Sequence, residues 1–173
     1  MSTLPVRQKL IEIARREVGV REVGRNSGKR VREYQAACDL AKEQPTGWPW
    51  CAAFVCWCIQ EWGKDKEVLA ALKLTAAQFE KWRPKTAAAF GLEDWAKKRG
   101  LQVLFADDIP SLRTGDIVTF DMSHTGLVAD DARGVIKTIE GNTGASGGRE
   151  GDGVWDKNRN FKESRKFIRL LPP

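Results

Sequence analysis

Trp48-Pro49-Trp50-Cys51-Ala52-Ala53-Phe54-Val55-Cys56-Trp57-Cys58-Ile59-Gln60-Glu61-Trp62 decides how this chain is read. The proline suits the first turn of a helix, where its missing N–H leaves no bond unmade. From about residue 50 to 62 the segment is apolar nearly all round, the mark of a buried central helix. Cys51 falls in its first turn, where the positive end of the helix dipole favours a thiolate. Phe54, Val55 and Cys58 follow at i+3, i+4 and i+7 and share its face. Cys56 points elsewhere, and both it and Cys58 read as small core residues.

Working outward, Val6, Leu10, Ile13, Ala14 and Val18 recur at helical spacing and predict an amphipathic helix over 5–18. A glycine-bounded loop at 24–28 precedes a second helix carrying Val31, Tyr34 and Cys38. Residues 42–49 are polar, contain two prolines and read as a loop. Residues 67–99 are rich in Ala, Leu, Lys and Glu and are expected to be helical, broken around Trp82-Arg83-Pro84 and at Gly91. After Gly100 the texture changes to short β-rich runs at 101–105, 115–120, 124–130, 135–140 and 166–170, with Val154-Trp155 as a further short strand. Helices first and antiparallel strands second is α+β order. No repeat or low-complexity linker interrupts the 173 residues, so one domain over 1–173 is expected.

The totals exclude several classes. No apolar run approaches the roughly 20 residues that a membrane-spanning helix needs. The first nine residues lack the basic-then-apolar pattern of a signal peptide, so synthesis in the cytoplasm is expected, with action elsewhere only after export or release. In that reducing compartment the four cysteines are expected as free thiols. The formal charge is +6 and the pI about 9.3, but the Lys and Arg residues are dispersed and no nucleic-acid-binding motif gathers them. Nucleic acid is therefore not an expected partner, whereas an acidic polymer remains compatible.

A thiol nucleophile needs a base, and the chain has one histidine, His124. It follows a turn at Asp121-Met122-Ser123. If Ala132 to Gly134 form a three-residue hairpin loop, Asp131 pairs with Val135, and His124 faces Asn142 with Glu140 diagonal on the same side. A four-residue loop would turn both away. Either Glu140 or Asn142 could then accept from one imidazole nitrogen and leave the other for the thiol. Asp116 and Asp121 are weaker candidates.

The segments Trp50-Cys51-Ala52-Ala53-Phe54-Val55, Gly115-Asp116-Ile117-Val118-Thr119-Phe120, Ser123-His124-Thr125-Gly126-Leu127-Val128 and Thr138-Ile139-Glu140-Gly141-Asn142-Thr143 together resemble the CHAP family. These are cysteine, histidine-dependent amidohydrolases and peptidases, related to NlpC/P60 enzymes and papain. The resemblance implies a papain-like α+β fold with N-terminal helices and a central cysteine-bearing helix on an antiparallel sheet. It implies Cys51 as nucleophile, His124 as general base, Glu140 as the residue orienting the histidine and Asn142 as a polar fourth. It also implies bacterial peptidoglycan as substrate, cut at the N-acetylmuramoyl-L-alanine amide or within the stem or bridge peptides.

Around that core, Trp48 and Trp50 are expected to form an aromatic collar for substrate. The Cys51 N–H is expected as one oxyanion donor, with Gln44 as a second. Trp82 and Trp95 are read as core, with groove lining as the other reading. No cofactor is expected and no metal: the acidic calcium loop of some family members is missing, with only Asp39 and Glu43 in that stretch. Zinc is disfavoured because Cys56 and Cys58 diverge by roughly 160° on a helix of 3.6 residues per turn. A monomer is expected, acting as a phage or prophage endolysin. The alternatives are a secreted antibacterial amidase effector, an acyltransferase on the same fold, or a non-catalytic wall-binding module.

Overall fold

The computed structural model describes residues 2–108, 111–130, 135–148 and 150–171. The helices are α1 (Leu4–Arg16), α2 (Lys29–Gln35), α3 (Cys51–Trp62), α4 (Lys66–Leu72), α5 (Ala76–Trp82) and α6 (Ala89–Lys98). The strands follow as β1 (Gln102–Phe105), β2 (Ile117–Phe120), β3 (His124–Val128), β4 (Val135–Thr143), β5 (Gly153–Asn160) and β6 (Ser164–Arg169). They form one antiparallel sheet in the order β1-β6-β2-β3-β4-β5. This is the expected α+β architecture of the papain-like kind.

The helix α3 is central, as its all-round apolar sequence requires: every residue from Cys51 to Ile59 is buried, and so is Trp62. It packs against α1 and α2 on one side and against β3 and β4 on the other. Strand alternation divides the apolar residues of the sheet. Ile117, Leu127, Ile139 and Ile168 join the core around α3. Val118, Phe120, Val128, Ile136 and Phe167 form a smaller cluster on the opposite face.

The long connection between α3 and β1 is helical and breaks after Trp82 as expected, but it also breaks after Leu72 and does not break at Gly91. A left-handed Lys73 ends α4, and Thr75 then caps α5 in a reciprocal box with Gln78. Gly91 is no break: it lies inside α6, where a Cβ would stand 2.2 Å from Thr86 Oγ1. The glycine permits the 83–88 turn to close onto the helix it precedes. Glu93 then fastens α6 to the sheet, its carboxylate accepting from Thr119 Oγ1 (2.8 Å), Lys166 Nζ (2.8 Å) and Arg165 Nε (3.1 Å).

Two strands exceed their sequence reading. β4 runs on to Thr143, and β5 covers eight residues where only Val154-Trp155 carries a β signal. Asp156, Lys157, Asn158, Arg159 and Asn160 are polar because β5 is an edge strand, and it is long because it pairs with β4 from Val135–Asn160 to Glu140–Trp155. The 132–134 hairpin loop lies outside the described residues, but the register it was expected to set is observed: Leu127 pairs with Ile139 and Val128 with Thr138.

Gly141 sets the distance between sheet and helix. A Cβ there would stand 2.6 Å from Phe54 Cβ and 2.9 Å from Trp50 Cζ3, so β4 crosses the start of α3 at backbone contact. Gly141→Ala is expected to lower stability by about 1–3 kcal/mol through overpacking, measured as a shift in the urea midpoint at unchanged m-value.

Candidate active site

The start of α3 is held by two tryptophans. Trp50 is fully buried, its ring stacked on Tyr34 at a centroid distance of 5.5 Å and its indole N–H donating to Glu22 Oε2 at 3.0 Å. Trp48 donates its indole N–H to the Gln44 carbonyl at 2.7 Å, and its own carbonyl accepts from Gln35 Nε2 at 2.9 Å. These bonds fix the Pro49 turn and hence the position of the Cys51 side chain.

Cys51 opens into a cleft of about 290 Å³, lined also by Leu40, Trp48, Pro49, residues 87–89 and Ser123. Of the expected collar, only Trp48 reaches this cleft. Trp50 is corrected to a core residue, because its ring fills the space between α2 and α3 instead of facing solvent. Gln44 is exposed and is not among the cleft-lining residues; its carbonyl anchors Trp48. Trp82 and Trp95 pack edge to face at 5.2 Å against the main core.

His124 begins β3 after a tight turn in which Ser123 takes a positive φ of 60°. Its ring is fully buried and stacked on Phe120. Continuing the observed register back along β3 and β4 sets Gly126 opposite Glu140 and His124 opposite Asn142. His124 Nε2 donates to Glu140 Oε2 at 2.8 Å, which leaves Nδ1 for the thiol. Cys51 is near enough to this imidazole to favour its charged form, although Nδ1 makes no hydrogen bond. Gly126 makes the arrangement possible, since a Cβ there would stand 2.5 Å from Glu140 Cγ.

Glu140 has no exposed surface, and a buried carboxylate needs several partners to stay ionised. Thr138 Oγ1 donates to Oε1 from the same face of β4. Arg159 on β5 grips both oxygens, Nε on Oε1 at 2.9 Å and Nη2 on Oε2 at 2.6 Å. Arg159 was not legible in the sequence, because it sits 19 residues from Glu140 in an edge strand without a motif. Burial opposes ionisation of Glu140, but Arg159 and His124 outweigh it and hold its pKa at about 2. Burial likewise opposes the imidazolium, yet Cys51 and Glu140 together raise the His124 pKa to about 9.

Asn142 lies at a bulge in β4 with φ 57°, fully buried, and neither its Oδ1 nor its Nδ2 has a hydrogen-bond partner. Asparagine tolerates this left-handed conformation better than most side chains. Asp116 and Asp121 take no part. Asp116 is buried before the far end of β2, where burial raises its pKa to about 7 against the opposing charge of Arg169, and Asp121 is an exposed partner of Arg165.

The remaining thiols, Cys38, Cys56 and Cys58, are free and buried; Cys38 and Cys56 both donate to the Thr86 carbonyl, at 3.2 and 3.4 Å. Among the described residues no group of three or more His, Cys, Asp or Glu side chains is arranged to hold a metal ion, and no helix is long and apolar enough to cross a membrane.

A helix-borne cysteine beside a strand-borne histidine that is itself bound to a carboxylate defines the papain-like class of cysteine–histidine sites. A family model described as CHAP domain matches residues 43–142, and the chain belongs to that family of cysteine, histidine-dependent amidohydrolases and peptidases. The matched span runs from the loop before α3 to Asn142. Searches of curated proteins and of solved structures returned no match.

As the only histidine, His124 titrates alone by NMR. Its Hε1 resonance is expected to shift with a midpoint near 9 instead of 6.5, and Cys51→Ala is expected to lower that midpoint by removing one of the groups that raise it. Because the folded-state pKa is raised, the stabilisation from the charged ring is complete below pH 6.5 and is lost as pH rises through about 9.

Proposed function

We propose that this chain is a single catalytic domain that hydrolyses an amide bond of bacterial peptidoglycan through a Cys51 thioester. The observation that carries the reading is the seating of Cys51, at the first turn of α3 and open to a cleft, against an imidazole whose far nitrogen is bound to Glu140. The membership in the CHAP family supplies the substrate class.

In this reading the Cys51 thiolate attacks the scissile carbonyl, and His124 protonates the leaving amine as the tetrahedral intermediate collapses to the thioester. His124 then takes a proton from water, the resulting hydroxide attacks the thioester carbonyl, and the thiolate leaves. The N–H of Cys51 has no partner within its helix and is the first oxyanion donor. Asn142, buried and unpaired beside the histidine, supplies the polar partner for substrate or for that water. Trp48 forms one wall for the substrate. The net charge of +6 suits an anionic wall polymer.

Among biological roles, a phage or prophage endolysin acting on the wall fits this amidase or peptidase chemistry. A secreted amidase effector uses the same chemistry and differs in its gene neighbourhood, where an immunity protein would stand beside it.

The test is digestion of purified peptidoglycan of several chemotypes by wild type, Cys51→Ala and His124→Ala, with products read by mass spectrometry. Wild type is expected to release defined muropeptides or stem peptides, and each variant is expected to lose on the order of 10³-fold or more in rate. A product carrying an added amine in place of water would establish acyl transfer. Binding of all three proteins without release of product would overturn the hydrolase reading in favour of a docking module. For wild type, kcat/KM is expected to fall above pH about 9, as the imidazolium that protonates the leaving amine is lost.

A further inference from the structure

We infer that Arg159 is a positioning residue of this site, fixing the Glu140 carboxylate in the charge state and orientation that turn His124 towards Cys51. The inference deepens the hydrolase reading and rests on it for its consequence on turnover.

Arg159 is 5% exposed, lies on β5 beyond the family match and meets Glu140 through two parallel N–H donors. A planar fork of this kind locks a carboxylate in plane as well as in charge. The third guanidinium nitrogen, Nη1, donates to the Gly147 carbonyl at 2.7 Å, and the guanidinium carbon lies 5.0 Å from the centre of the Phe120 ring. Phe120 stacks in turn on His124. Arg159 therefore touches the histidine's support from two directions, through Glu140 and through Phe120, without touching the imidazole.

The charged and titratable groups that bear on Glu140 are Arg159 from β5 and His124 from β3, while Cys51 from α3 acts on it through the histidine. Glu163 bears on Arg159 from the turn before β6. If Arg159 is removed, Glu140 keeps only Thr138 and His124 as partners in a site without solvent. Burial then pushes the carboxyl towards its neutral form. A protonated Glu140 no longer favours the imidazolium, and the thiolate beside it loses its counter-charge.

The experiment compares wild type with Arg159→Met, Arg159→Gln and Arg159→Lys. It measures the His124 Hε1 resonance against pH by NMR, together with the kcat of peptidoglycan release. In Arg159→Met and Arg159→Gln the His124 midpoint, near 9 in wild type, is expected to fall by about one unit or more. Arg159→Lys restores the charge but not the fork, so its His124 midpoint is expected to match wild type while kcat stays about tenfold lower.

Folded Met or Gln variants with the wild-type His124 midpoint would overturn the inference, and so would a Lys variant with wild-type kcat. The Lys variant keeps the test decisive if the neutral variants do not fold. The His124 titration needs no substrate, so the expected midpoint shifts in a protein that releases nothing from any wall would sink the hydrolase reading and leave the role of Arg159 standing.

Discussion

A carboxylate without solvent can remain charged only if the protein replaces the water it has lost. Glu140 meets that condition through four groups on three strands: Thr138 beside it on β4, Arg159 with both ends of its fork on β5, and His124 on β3. Space for the side chain exists because the residue opposite is Gly126. Once the carboxylate is held, the ring bonded to it has one free nitrogen, and that nitrogen faces the cysteine helix. The single histidine's protonation thus depends on one buried charge, which the register of β3, β4 and β5 surrounds with its partners.

The second half of the site comes from packing. The start of α3 is pinned by Trp48 and Trp50, whose indole N–H groups are bonded to a loop carbonyl and to Glu22. Gly141 lets β4 lie directly on Phe54 and Trp50, so the first turn of the helix abuts the strand that carries Glu140. The cleft wall at residues 87–89 follows Thr86, whose carbonyl is held by Cys38 and Cys56 and whose side chain closes against Gly91. The thiols outside the cleft therefore shape its edge from within the core.

Several features were legible because they follow from short-range rules. An apolar run after Pro49 announced α3, the Cys51 position followed from helix geometry, and short β-rich runs between turn residues announced β2 and β3. The shared face of His124 and Glu140 came from counting residues around a hairpin, since side chains alternate with a period of two. What failed did so for physical reasons. Trp50 and Trp48 sit one residue apart from Pro49 and look equivalent, but their side chains diverge, and Tyr34 on α2 is the surface that claims Trp50. Gly91 read as a helix break because the sequence does not show that Thr86 packs against it. β5 has no alternating apolar pattern, because an edge strand with polar contacts on the site side needs none.

Fold class, family and the candidate pair Cys51 and His124 were readable from the chain, since each rests on local periodicity or on motifs that survive as strings of residues. How His124 is held and what borders Cys51 came from the closed structure. The Arg159 grip on Glu140, the burial of Trp50 and the placing of residues 87–89 beside Cys51 join segments far apart in the chain. Such contacts depend on how sheet and helices close over one another, and no local pattern encodes that.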